Sequence, residues 1–444
     1  MITKLIIFAI LTLPVAILGK RVTDENEGKH YLLFSYLAGS FVAASSIAFT
    51  RSLTQLEGNA FMLALGIVVI VGLWKFLFGP WNPRIKVAVL GTFIFWIAVD
   101  ILQKQDGNAE RVAMILATIV AAVPAGIWCF LFLKQNRNKI TTVVLTFFAG
   151  MLSTAPILFY DHVVRSGYDL HFFLFRITPE HFMRSSKTFV THALTGQSGV
   201  ISASVAATVV SFILVGVIEE WSKHWVVRKS DKATFSSITD VIQLSVIAGI
   251  GFAFAENVIN PNYFIAFIKD YLIRPQTPQF LPFLGSVFGR AIITNMVHIT
   301  CSGILGYYYG MAFFARPVME DDRAQGKRHQ LVAFLHKTLR IRRVVIFKHV
   351  SMLQGLVLSM GAHSMFDTMV SLPEVLPGNP QTIGAMLGMS SGPLNMINVV
   401  MLAAFIYVFG GWVLLRYLFK KRKDVKEYGQ VLNQEVFVPA QNPA

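Results

Sequence analysis

Four short groups of ionisable residues set among apolar neighbours carry the chemistry this 444-residue chain can offer. The first is Glu219-Glu220-x-x-Lys223-His224. At helical spacing Glu219 meets Lys223 and Glu220 meets His224, each four residues on, so a carboxylate pair gains two cationic neighbours. The second is Phe252-Ala253-Phe254-Ala255-Glu256-Asn257, preceded by Gly249 and Gly251, whose missing side chains permit close helix approach. His298 is the third, followed by Ser302, Gly303, Gly306 and Gly310 at about helical spacing. In the fourth, His363-Ser364-Met365-Phe366-Asp367, an imidazole and a carboxylate fall on one helix face. Carboxylates and imidazoles in such company do general acid–base work or relay protons.

The elements that must hold these residues are membrane helices. The chain is 54% hydrophobic and only 14% charged. Its apolar residues fall in runs of about 20, the length that crosses a bilayer as a helix, which excludes a soluble globular fold. We expect an all-α polytopic transmembrane helix bundle of about 11 spans. They begin near Leu5, Tyr31, Ala60, Ile85, Val112, Ile140, Gly199, Thr239, Leu281, His349 and Leu394. The first run contains Pro14 and is followed by Lys20-Arg21, which favours a retained helix over a cleaved signal peptide.

A net charge of +15 suggests nucleic acid in a soluble protein, but here the basic clusters at 337–348 and 416–426 abut apolar runs. That is the pattern of segments held on an anionic cytoplasmic membrane face, and no nucleic acid is needed to explain it. Alternate loops divide the lysines and arginines 27 to 10, which places the C-terminus in the cytoplasm. Cys129 and Cys301 lie in apolar runs and suggest neither a disulfide nor a zinc-finger site. The segment 161–198 is the longest outward connection, with apolar pieces too short to span.

An ionised carboxylate near the bilayer centre costs roughly 2.5–3.5 kcal/mol, so residues such as these mark a function or a paired structural site. Helical rise from the nearest cytoplasmic charges puts Glu219 about 15 Å deep, His363 about 22 Å, Glu256 about 24 Å and His298 about 27 Å. Blander readings stand beside the functional one. Glu219, Glu220 and Lys223 form an interfacial charge pair at a helix end, since the apolar run stops at Ile218. Glu256 and Asn257 glue helices, His298 is a packing donor, and His363 with Asp367 is a structural pair. Lys75, Asp100 and Arg290 have no motif around them and read as snorkelling or interfacial residues.

Taken together and in this order, Glu219-Glu220-x-x-Lys223, Phe252-x-x-x-Glu256-Asn257, His298 and His363-x-x-x-Asp367 resemble the PrsW family of intramembrane proteases. That family is related to the CAAX-protease and bacteriocin-processing family, many of whose members place a histidine where this chain has Glu256. The resemblance covers 198–370 and implies a protease core at 199–370. It leaves an N-terminal transmembrane bundle at 1–198 of unknown role, and a last helix with a basic cytoplasmic tail at 371–444.

Peptide hydrolysis needs a base to activate water, donors for the oxyanion and a proton for the leaving amine. Glu219 is the expected base, flanked by Glu220 and Lys223. His298 or Glu256 would hold the water, and His363, Asn257 and Asp367 would orient or stabilise the oxyanion, Asp367 chiefly by orienting His363. No metal cofactor is expected, for there is no His-Glu-x-x-His, although Asp, Glu, Glu and two His still offer zinc ligands. The expected partner is a membrane-protein substrate, which the resemblance extends to anti-sigma-type regulators in a prokaryotic cell membrane. The competing reading is a proton-coupled transporter using the same cluster as a relay; it predicts inverted repeats, and none is evident.

Overall fold

Apolar runs of helical length become helices, because only a helix satisfies every backbone group of a lone segment without water. The computed structural model describes residues 13–22, 31–53, 79, 81–104, 107–134, 140–158, 160, 170–172, 175–177, 205–230, 235–260 and 263–421. The main helices are α1 (Tyr31–Leu53), α2 (Pro83–Lys104), α3 (Asn108–Leu133), α4 (Ile140–Leu152), α5 (Val205–Ser230) and α6 (Ile238–Ile259). They continue with α7 (Phe280–Phe288), α8 (Asn295–Phe313), α9 (Arg343–Val375), α10 (Val399–Phe405) and α11 (Gly411–Lys421). An antiparallel ribbon of three-residue strands, Leu170–Phe172 and Phe175–Ile177, is a small departure from an all-α fold.

Among the described residues, seven helical segments are long and apolar enough to cross a membrane. The protein is therefore an integral membrane protein. The expected spans from Ile85 and Gly199 do form helices, α2 and α5, of 22 and 26 residues, but neither is among those seven. The span expected from Ala60, Lys75 within it, the start of the first run, most of 161–198 and the tail beyond 421 lie outside the described residues.

Two compact units form. One comprises Met1–Met114 and Lys139–Phe148. There α1 packs on α2 through Phe34, Ala38, Ile85 and Val89, and Trp96 donates to Ser40 Oγ at 2.8 Å.

The other unit comprises Ile115–Asn138 and Ala149–Ala444. Its centre is α6, where 89% of an 18-residue apolar stretch is buried, as in a helix surrounded by other helices. Ser237 caps α6 by accepting from the Asp240 amide at 3.1 Å, and the Asp240 carboxylate takes the Ser236 amide at 3.0 Å. The first of these bonds satisfies a donor that a helix start leaves unpaired. α6 packs against α8, α8 against α9, and α9 against α5. Between α7 and α8 the chain makes a π-helical turn, Gly289–Thr294, so that Phe280–Phe313 is one continuous 34-residue rod.

Candidate active site

Helix-to-helix distance decides whether four motifs on four helices become one site. Gly249 of α6 lies so close to α8 that an added Cβ would stand 3.0 Å from the His298 carbonyl oxygen. Gly216 of α5 is in the same position against α9, where a Cβ would stand 3.0 Å from the Met360 oxygen. Each glycine lies close in sequence to a motif, so the close crossings occur where the ionisable side chains project.

The result is one cluster. Lys223 Nζ donates to Glu220 Oε1 at 2.6 Å, approaches His298 Nδ1 at 3.1 Å and sits over the Phe252 ring at 4.2 Å. An ammonium only donates, so His298 Nδ1 is the acceptor and its Nε2–H donates to Glu256 Oε2 at 3.1 Å. His363 Nδ1 lies 2.8 Å from Glu220 Oε1, and Ser359 Oγ donates to Glu220 Oε2 at 3.1 Å. The Arg290 guanidinium holds Glu256 Oε1 at 3.0 Å, donates through Nε to Asn257 Oδ1 at 3.0 Å and lies over the Tyr263 ring at 3.5 Å.

Glu219 differs from its neighbours. Its Oε2 is buried and has no hydrogen-bond partner among the described residues. Three nitrogens surround it just out of reach: His363 Nε2 at 3.5 Å, Lys223 Nζ at 3.6 Å and His298 Nδ1 at 3.7 Å. His363 Nε2 also stands 3.7 Å from Asp367 Oδ2. Glu219, Glu256, Arg290, His298, His363 and Asp367 face a cavity of about 100 Å³ whose apolar wall includes Ile157, Phe212, Val215, Phe366 and Val370. One water needs only about 10–15 Å³ of such space, so the cavity can hold water.

The structure thus brings together Glu219, Glu220, Lys223, Phe252, Glu256, His298, His363 and Asp367. Asn257 is brought close but faces elsewhere, bonded to Arg290 and to Asn295 Oδ1 at 3.4 Å. Three sequence expectations need correction. His224 does not meet Glu220; it packs edge-on against Tyr309 at 4.8 Å, and His363 takes its place. Glu219 and Glu220 do not end a helix, since α5 runs on to Ser230 and both are buried, with Lys223 only 1% exposed. The spread in depth disappears, for the four motifs meet in one cluster, and the reference charges hold different places in their helices. Arg228 is in the last turn of α5, Lys348 is already inside α9, and Arg316 belongs to a separate helix, Ala315–Ala324.

Arg290 is the residue that sequence reasoning missed. It is no snorkelling side chain: it is 4% exposed and joined to Glu256. Asp100, read the same way, is buried as well. Ser359, which donates to Glu220, is a second residue outside the four motifs. Its position four residues before His363 places it on the same face, and that was the available signal.

Formal charges indicate what else the cluster can hold. Glu219, Glu220, Glu256 and Asp367 face two permanent cations, Lys223 and Arg290, leaving two negative charges to be balanced by protons or by a divalent ion. One ligand atom from each of Glu219, Glu220, His298 and His363 lies within 4.8 Å of the others. Two carboxylates and two imidazoles are a donor set that zinc accepts. Lys223 occupies part of this ground, because its ammonium already engages Glu220 and His298.

Comparison with known proteins follows the same lines. A family model described as PrsW family intramembrane metalloprotease matches residues 138–408, more than half of the chain, and all of the cluster lies within the match. No curated protein and no solved structure matches.

Proposed function

Because the chain belongs to the PrsW family of intramembrane proteases, we propose that it hydrolyses a peptide bond of a membrane-protein substrate, with Glu219 activating the attacking water. The observation that carries this reading is the buried Glu219 Oε2, unpartnered among the described residues at the edge of a cavity of water-holding size.

The roles follow from donors and acceptors. Glu219 is the one carboxylate of the cluster with a buried oxygen left without a hydrogen bond among the described residues, so it takes the proton of water and later returns it to the leaving amine. Each oxygen of Glu256 keeps a second lone pair beyond its bond to Arg290 or His298, and so holds the water's other proton. His363 donates Nδ1–H to Glu220, which fixes its ring and points Nε2 toward Glu219 and Asp367. In its protonated form, Nε2–H is aimed where an oxyanion would form, with Asp367 orienting it. Lys223 balances the glutamate pair. Asn257, turned away, contributes through Arg290. The apolar wall of the cavity suits a substrate segment that is itself apolar, so the substrate is a membrane-spanning or juxtamembrane stretch. The basic loop at 316–348 and the C-terminus lie on the cytoplasmic side in this reading.

A second reading is favoured by the four converging ligand atoms and by the word metalloprotease in the family description. Glu219, Glu220, His298 and His363 would then hold a divalent ion such as zinc, with the Lys223 ammonium displaced from Glu220 and His298. When bound, such an ion supplies a Lewis acid that lowers the pKa of water.

Purified protein incubated with a library of quenched-fluorescent peptides, each with about 20 apolar residues between lysine flanks, tests both readings. Wild type should cleave a subset and Glu219→Gln should not. Activity that persists after treatment with 1,10-phenanthroline supports the metal-free mechanism. Loss that zinc restores would replace it with the metal-bound one.

A further inference from the structure

Arg290 and His298 grip the same carboxylate from one rod: Arg290 Nη2 lies 3.0 Å from Glu256 Oε1 and His298 Nε2 lies 3.1 Å from Glu256 Oε2. A regular α-helix would set the two residues on different faces. Eight residues at about 100° each leave the two side chains about 80° apart around the axis. The π turn Gly289–Thr294 removes the discrepancy, for the Asn295 amide bonds to the Arg290 carbonyl, five residues back. One residue is thereby absorbed, and a spacing of eight acts as seven, within about 20° of the same face.

The turn is held from outside. Arg290 Nε donates to Asn257 Oδ1, which fixes the amide so that its NH₂ donates to Asn295 Oδ1 at 3.4 Å. Asn257 therefore bridges the two residues joined by the π hydrogen bond, and Tyr263 covers the guanidinium at 3.5 Å. A π turn lacks the hydrogen-bond spacing that the rest of the rod prefers, so it persists where tertiary contacts such as these hold it.

We propose that the π turn exists to place Arg290 beside His298, and that Arg290 is a positioning residue that fixes Glu256 and, through it, the Nε2–H tautomer of His298. Arg290 acts at one remove from the chemistry. With Glu256 locked by the guanidinium fork, Nε2–H of His298 has an acceptor and Nδ1 is left to accept from Lys223, so one arrangement of the cluster is selected. The consequence for turnover rests on the protease reading; the consequence for the tautomer does not.

The experiment compares wild type, Arg290→Gln, Arg290→Lys and an alanine inserted after Ile292, which makes the spacing across the turn act as eight and carries Arg290 about 80° off the His298 face. Three quantities are read in detergent micelles: kcat and KM on the single-span peptide library, Tm, and the tautomer of His298 by ¹⁵N-histidine NMR, assigned with His298→Gln. Expected is a kcat lower by roughly 100-fold in Arg290→Gln with KM little changed, alongside mixed His298 tautomers. Lysine restores charge without the fork and should recover part of both. The alanine insertion should match Arg290→Gln in tautomer where it folds.

A merely structural Arg290 would lower Tm and leave kcat per folded molecule and the tautomer unchanged, and that result overturns the proposal. So does an insertion or an Arg290→Gln variant that folds with pure Nε2–H His298. If wild type cleaves no peptide while the tautomer shifts as expected, the positioning role stands and the protease reading falls.

Discussion

The two ends of the buried cluster are built differently. Around Glu256, Arg290, Asn257 and His298 the named contacts are direct, at 3.0–3.1 Å, extended through Asn257 to Asn295 at 3.4 Å. Around Glu219 and His363 the facing atoms stand 3.5–3.7 Å apart, and one carboxylate oxygen has no hydrogen-bond partner among the described residues. Burying a polar atom without a partner costs about 1–3 kcal/mol, so a cluster serving stability alone would close that gap, as it does on the other side. The tight end is fixed in place; the loose end has room for a small reactant. Glu220 and Lys223 join the two, since Lys223 touches His298 on one side and Glu220 holds His363 on the other.

The contrast breaks most severely at the joint. Lys223→Met leaves Glu220, 0% exposed, without its closest cation. Loss of one partner of a buried pair costs about 3–5 kcal/mol, so thermal unfolding in micelles should show a sharply lowered Tm and little folded protein. His363→Ala acts at the loose end. It should fold near normally and lose about 100- to 1,000-fold in kcat, measured on the peptide library against a matched Tm. Equal losses of Tm and activity would make His363 scaffold after all. Gly216→Val pushes α5 from α9 and should cost about 1–3 kcal/mol while reducing activity, because Glu219 and His363 are set by that crossing. The smallest effect is expected from Asn257→Ala: a stability loss of about 1–2 kcal/mol read by Tm, with a smaller fall in kcat than at His363.

What could be read beforehand follows from how strongly each feature stands out against its surroundings. Glu219, Glu220, Glu256, His298 and His363 are conspicuous in apolar runs, and a run of helical length can be little but a helix in lipid. Their convergence was expected only from motif order, because depth measured from flanking charges fails where those charges hold different places in their helices. Arg290 was illegible for a definite reason: eight residues before His298, it sits on another face in a regular helix, and nothing local announces the π turn. The Glu220 partner was misread because the i,i+4 rule offers His224, whereas the tertiary fold offers His363 from α9. Gly249 was legible as a close-approach residue next to a motif. Gly216, three residues before Glu219, carries the same signal and was overlooked.

The central claim is that Glu219 activates water to cut a membrane-embedded peptide bond. The most direct test is mass spectrometry of fragments from the single-span peptides, comparing wild type and Glu219→Gln of equal Tm in metal-free buffer. The account predicts cuts within or beside the apolar stretch for wild type, and a rate lower by about 100- to 10,000-fold for Glu219→Gln. Equal cleavage by the two proteins, or none by either, would contradict it.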